Sequence, residues 1–222
     1  MLSCVIFDMD GVISDSEPLH HIAERKLLEP FGVDLTQDEL QSFTGMGTTD
    51  MLQHFLDTYQ LSASLEDLTE QLTENLFQVF SEQVQPIPHA ISLIQLLHAE
   101  GIPLAIGSSS SPQLINLVLD KLELPSCFKV VVSGHEVMRS KPHPDLFLEI
   151  ADRLQVSPKD CVVIEDSKNG VLAAKAAGMV CVGFESPNSP NQDLSKSDWI
   201  LDDLSLLTKD KLHNLLDSFR KI

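Results

Sequence analysis

Cations are scarce in this 222-residue chain: 15 Lys and Arg stand against 33 Asp and Glu, a net charge of −18 at pH 7. That balance argues against a nucleic-acid ligand, whose phosphates need Lys and Arg to neutralise them. It equally argues against docking on an anionic membrane surface. Apolar runs are short, none approaching the roughly 20 residues of a spanning helix. The amino terminus enters its first strand-like run with no charged leader, so a cytoplasmic protein is expected. Cys4, Cys127, Cys161 and Cys181 have no C-x-x-C spacing, and three of them lie inside apolar runs. They read as buried thiols in a reducing compartment rather than as disulfides or metal ligands. Repeats and low-complexity tracts are missing too. What remains is ordinary for a folded protein, 43% hydrophobic and 22% charged, and long enough for one core or a core plus a small lobe. So acidic a chain can still bind a small phosphorylated metabolite if a metal ion and a lysine reverse the field locally. A monomer or weak dimer is expected.

Short β-rich runs recur at residues 3–8, 103–108, 129–133, 161–165, 180–184 and 198–201, with single helical patterns between the later ones. Pro112 and Pro144 stand where first-turn prolines belong, and Gly101 and Gly178 where helices end. Alternation of this kind predicts an α/β fold with a doubly wound parallel sheet. Residues 16–85 interrupt it with about 70 residues of helical character. Three stripes mark helices there: Leu19, Ile22, Ala23 and Leu27; Leu52, Phe55, Leu56 and Tyr59; Leu65, Leu68, Leu72, Leu76 and Val79. Thr36 with Glu39 and Ser64 with Asp67 read as capping boxes. Too long for a sheet crossover, the segment reads as an inserted α-helical cap domain. The expected boundaries are 1–15 and 86–222 for the core and 16–85 for the cap, with hinges near 14–17 and 85–88.

Chemistry gathers at the ends of the strand-like runs. Asp8 and Asp10 follow the run Cys4-Val5-Ile6-Phe7, and in an extended segment both point to one face. Ligands of open α/β sheets bind beyond the carboxyl ends of the strands. Two carboxylates so close repel unless a cation or a shared proton lies between them, and a divalent, oxygen-loving metal answers that need. Ser108 closes a second run, Lys141 follows a third, and Glu165 and Asp166 end a fourth. In that order these groups form a phosphate and metal site.

The combination resembles the haloacid dehalogenase superfamily of aspartate-nucleophile phosphotransferases, whose motifs are D-x-D, a Ser or Thr, a Lys and an acidic pair. Within it the chain is most similar to the branch with a small helical cap, which includes beta-phosphoglucomutase and sugar-phosphate phosphatases. The resemblance implies a Rossmann-like core and an Asp8 nucleophile that forms an aspartyl-phosphate. It makes Asp10 the acid and base, with Ser108 and Lys141 on the phosphoryl group. Mg²⁺ is implied on Asp8, the backbone carbonyl of Asp10, and Asp166, with Glu165 close by. Amides of the Ser109–Ser111 turn, Ser109 first, at the start of the next helix are expected to add phosphate contacts. In the cap, His20 aligns with a proton-transfer histidine of the mutase, and Gly45 and Thr48 fall in the substrate-specificity loop.

The chain departs from the mutase pattern where that enzyme grips a second phosphate. An arginine is replaced at about Thr48, and residues 73–83 contain no Lys or Arg. A phosphatase of small, sugar-like phosphate monoesters is therefore expected, with a phosphosugar mutase as the alternative. A non-catalytic phospho-switch or binding protein is the alternative of another class. His89 stands where the family usually carries glycine, a substitution the sequence does not explain.

Overall fold

In the computed structural model, which describes residues 2–44, 46–189 and 191–219, contacts divide the chain into two compact units. One is Met1–Asp15 with Gln85–Ile222, the other Ser16–Val84. In chain order the elements are β1 (Cys4–Phe7), α1 (Glu17–Leu28), α2 (Gln37–Phe43), α3 (Thr48–Tyr59), α4 (Leu65–Gln83) and α5 (Ala90–Ala99). There follow β2 (Leu104–Ser108), α6 (Pro112–Lys121), β3 (Val130–Ser133), α7 (Asp145–Leu154), β4 (Cys161–Glu165) and α8 (Lys168–Ala176). The chain then adds β5 (Val180–Phe184), β6 (Trp199–Leu201) and α9 (Lys209–Phe219).

The first unit is a six-stranded sheet of order β3-β2-β1-β4-β5-β6, parallel throughout. The doubly wound α/β core expected of the sequence is thus the observed fold. Its central strands are buried along their whole length, which is why they read as continuous apolar runs rather than alternating ones. Right-handed crossovers place helices on opposite faces according to the direction of travel along the sheet. From β1 the chain moves one way to β2 and β3, then returns to the far side of β1 for β4 and β5. Accordingly α7 and α8 cover one face, through Leu146, Phe147, Ile150, Val171 and Ala174. The carboxyl end of β1 lies at the reversal of strand order, where such sheets form a crevice. Register pairs Phe7 with both Ile106 and Ile164, so the residues just past these three positions converge there.

The second unit is helical, with α4 packed on α1 and on α3. Leu19, Ala23, Leu27, Leu52, Phe55, Leu68, Leu72 and Val79 are buried, as the stripes predict. Both capping boxes form, Thr36 with Glu39 before α2 and Ser64 with Asp67 before α4. No helix among the described residues is long and apolar enough to cross a membrane.

Two local details differ from expectation. Pro144 stands one residue ahead of α7, as its cap, instead of occupying its first turn. His89 sits at φ +66° as the cap of α5. That is the left-handed region, which glycine enters without the Cβ clash that other residues meet. A glycine usual at this position therefore has a backbone reason, and histidine adopts the same turn at a cost.

Candidate active site

β1 ends at Phe7, so Asp8 is the first residue past the strand and is 6% exposed. Lys141 reaches it from beyond β3, its Nζ donating to Asp8 Oδ1 at 2.7 Å and to Glu165 Oε1 at 2.5 Å. Glu165, fully buried at the end of β4, also accepts from the Ser167 amide and hydroxyl through Oε2, both at 2.9 Å. Its two oxygens are thus committed, one to the lysine and one to the cap of α8. Gly170 makes this possible, because a Cβ there would lie 1.7 Å from Glu165 Oε1.

Electrostatics separate the roles. Burial works against the Lys141 ammonium, but Asp8 and Glu165 hold it protonated, above the ordinary lysine value. Burial pushes Asp8 up to about 8, against the pull of Lys141 and with Glu165 and Asp10 adding to it. Asp166 is raised well above the ordinary carboxylate range by burial, then by Glu165 and Asp8. One ammonium does not compensate three buried carboxylates.

Ligand oxygens of Asp8, Glu165 and Asp166 lie within 4.8 Å of one another. An all-oxygen donor set of this kind suits a hard divalent cation. Room for it is kept by Gly11, at φ +75°, where a Cβ would stand 2.0 Å from Asp166 Oδ2. The residues present therefore fit a divalent metal.

Asp10 projects toward β2. Its Oδ2 accepts from Ser110 Oγ at 2.7 Å and more distantly from Ser108 Oγ at 3.4 Å. Ser108 Oγ in turn accepts from the Ser110 amide at 3.0 Å, and Ser133 Oγ donates to the Ser110 carbonyl at 2.6 Å. The run Ser108-Ser109-Ser110-Ser111 is thereby sorted. Ser108 is buried, Ser109 is exposed, Ser110 faces Asp10, and Ser111 caps α6. The sequence points to Ser109 and to the amides of the Ser109–Ser111 turn but not to the Ser110 hydroxyl on Asp10, since four like residues in a row give no means of ranking their side chains.

Of the expected cap residues, His20 and Thr48 line one cavity within the helical unit, and Gly45 lies outside the described residues. The His20 ring meets Phe80 edge-on at 5.4 Å. Glu17 and Glu24 line the same cavity and were not singled out in the sequence, where acids on a helix read as a solvated face.

A family model described as "Haloacid dehalogenase-like hydrolase" matches residues 5–184. A phosphorylated carbohydrates phosphatase of Thermotoga maritima is 35% identical over 178 residues, 80% of this chain and 82% of that one. A probable pseudouridine-5'-phosphatase of Drosophila melanogaster is 34% identical over 206 residues, 90% and 89% of the two chains. Among solved structures, a beta-phosphoglucomutase from Clostridium difficile superposes with a TM-score of 0.83 at 26% identity, covering 100% of both chains.

Proposed function

The chain belongs to the haloacid dehalogenase-like hydrolases, and we propose that it is a Mg²⁺-dependent phosphatase of small, sugar-like phosphate monoesters that works through an aspartyl-phosphate on Asp8. The observation that carries this reading is the Asp8–Lys141–Glu165 chain of contacts beside Asp166, at the strand-order reversal of the sheet. A buried carboxylate held against a buried ammonium is an oriented nucleophile, with a cation in place for the incoming phosphoryl oxygens.

In the first step an Asp8 oxygen bonds to phosphorus while the ester oxygen leaves and takes a proton from Asp10. In the second, water adds to phosphorus, gives a proton to Asp10, and releases inorganic phosphate with Asp8 restored. Lys141, Ser108 and the neighbouring amides hold the phosphoryl oxygens. Ser110, with its hydroxyl on Asp10, orients that carboxyl between its two proton transfers. Asp8, Asp166 and the backbone carbonyl of Asp10 would hold the metal ion, which supplies positive charge that keeps Asp8 ionised and offsets the phosphoryl charge.

Glu165 is read as the group that positions Lys141 and adds charge beside the metal. His20, Gly45 and Thr48 are assigned to the non-phosphate part of the substrate. A mutase must grip a bisphosphate by both ends, but the two cap bases are engaged elsewhere. Arg25 pairs with Asp34 and Lys26 with Gln78. Buried free thiols at Cys4, Cys161 and Cys181 favour a reducing, cytoplasmic compartment.

Phosphate release from a panel of metabolite monophosphates tests the reading, with Mg²⁺ or EDTA, for the native protein and Asp8→Asn. Turnover that needs the metal and disappears in Asp8→Asn is expected. Undiminished turnover by Asp8→Asn refutes the nucleophile, and no release from any ester by the native protein refutes the phosphatase.

A further inference from the structure

Within the helical unit is a cavity of about 170 Å³, walled by side chains of α1, α2, α3 and α4. It is large enough for a ligand fragment of several heavy atoms. Three polar residues of α1, at i, i+3 and i+7, face it: Glu17, His20 and Glu24. Thr44 and Thr48 add hydroxyls, and Leu40, Phe43, Met51 and Leu72 provide an apolar wall.

The two acids are in opposite conditions. Glu17 accepts from the Thr44 hydroxyl and pairs with His21 Nε2 at 3.3 Å. Burial opposes its charge, yet His21, Thr44 and His20 together hold it below the ordinary carboxylate value. Glu24 is 7% exposed, and its Oε2 is buried with no hydrogen-bond partner. Burial pushes Glu24 up to about 7, against His20 and His21 and with Glu17 adding to the rise. Leaving a buried carboxyl oxygen unsatisfied costs stability. Such a group is explained when its missing partner is a ligand donor.

The lining specifies the donor. A second phosphate or a carboxylate would face Glu17 and Glu24 with no Lys or Arg among the described lining residues, so an anionic group is repelled. In residues 16–84 thirteen acids outnumber two bases, which reinforces that field. Hydroxyl groups meet every polar atom present, and a carbon skeleton matches the apolar wall. We propose that Glu24 is a specificity-determining residue, accepting hydrogen bonds from adjacent hydroxyls on the uncharged, polyhydroxylated part of the phosphate ester and rejecting esters that carry a second anion. This rests on the phosphatase reading above and adds the residue and the chemistry by which substrates are chosen.

The test compares native protein, Glu24→Gln and Glu24→Leu on three substrates: the hexose or hexitol monophosphate turned over fastest, p-nitrophenyl phosphate, and 6-phosphogluconate. In Glu24→Leu the KM for the sugar ester rises at least tenfold. Its kcat/KM falls about 10- to 100-fold relative to that for p-nitrophenyl phosphate, as expected where a site is built to bind a hydroxyl. In Glu24→Gln the loss is smaller, and 6-phosphogluconate gains at least threefold relative to the sugar ester. Equal losses on all three substrates in both variants overturn the proposal. Calorimetric titration of the sugar monophosphate into Asp8→Asn and Asp8→Asn/Glu24→Leu separates the two readings. If the native protein hydrolyses nothing, binding that Glu24→Leu weakens tenfold still upholds the cavity. Binding indifferent to Glu24, or no binding, overturns it.

Discussion

Alanine at Gly170 sets two effects of opposite sign against each other. Gly170 is the third residue of α8, and its amide donates to Ser167 Oγ at 3.0 Å. At an ordinary helical position alanine would gain about 1 kcal/mol over glycine. Here the new Cβ would lie 1.7 Å from Glu165 Oε1, 1.9 Å from Cδ and 2.4 Å from Oε2. Unbonded heavy atoms rest at roughly 3.5 Å, so the carboxylate must retreat by more than about 1 Å. It has nowhere to swing, being fully buried and tied to Lys141 and Ser167. Hydrogen bonds to charged groups contribute about 1.5–3 kcal/mol each, and retreat weakens more than one. Net destabilisation of about 3 kcal/mol follows after the helix gain is subtracted. For a chain of this length that lowers Tm by roughly 6–12 °C. With Lys141 held by Asp8 alone, kcat should fall about 100-fold, the scale of losing one oriented electrostatic contact. Thermal denaturation and phosphate release measure both effects. A double-mutant cycle with Glu165→Ala isolates the clash: in that background Gly170→Ala should be neutral or slightly stabilising, giving a coupling of at least about 2 kcal/mol. An equal cost in both backgrounds would refute the reasoning.

Lys141→Met leaves Asp8 and Glu165 buried without their ammonium, which should cost about 3–5 kcal/mol and abolish measurable turnover. Denaturant titration should find the deficit smaller at pH 5 than at pH 8, because Asp8, already pushed up by burial, takes a proton at the lower pH and sheds its uncompensated charge. His89→Gly relieves a left-handed backbone at φ +66° and should raise stability by about 0.5–1 kcal/mol, read as a higher denaturation midpoint with an unchanged slope. Glu24 has its folded value raised to about 7 from 4.5, so its contribution to stability is present below about pH 4.5 and is lost as pH rises toward 7. Glu24→Gln should therefore be on the order of 2–3 kcal/mol more stable than the native protein at pH 8, with little difference at pH 4.5. Equal slopes of stability against pH in the two proteins would contradict this.

The core was legible because a parallel sheet buries both faces of its strands. That condition writes apolar runs into the sequence and leaves functional residues at the run ends. Asp8, Ser108, Glu165 and Asp166 could be placed from that punctuation alone, and β1 through β5 fall within a residue or so of the expected bounds. Lys141 lies beyond β3 in an irregular segment, and only its order among the other motifs pointed to it. Ser110 and Gly170 were not legible: the first owes its proposed role to an Asp10 oxygen 100 residues earlier, and the second to the tip of nearby Glu165, whose approach depends on how the β4–α8 turn folds back. Glu24 is harder still. Its spacing from Glu17 and His20 is that of a helix face, but a polar stripe beside Leu19, Ala23 and Leu27 looks the same whether it meets water or a cavity. Only the arrival of Phe43, Thr44, Met51 and Leu72 from three other stretches of chain turns that stripe inward. In the core, reactive groups are tied to strand ends by the topology of the sheet. With Glu24 as the proposed selector in the helical unit, selectivity would depend on which helix face is covered, so the sequence announces the reaction earlier than it announces the substrate.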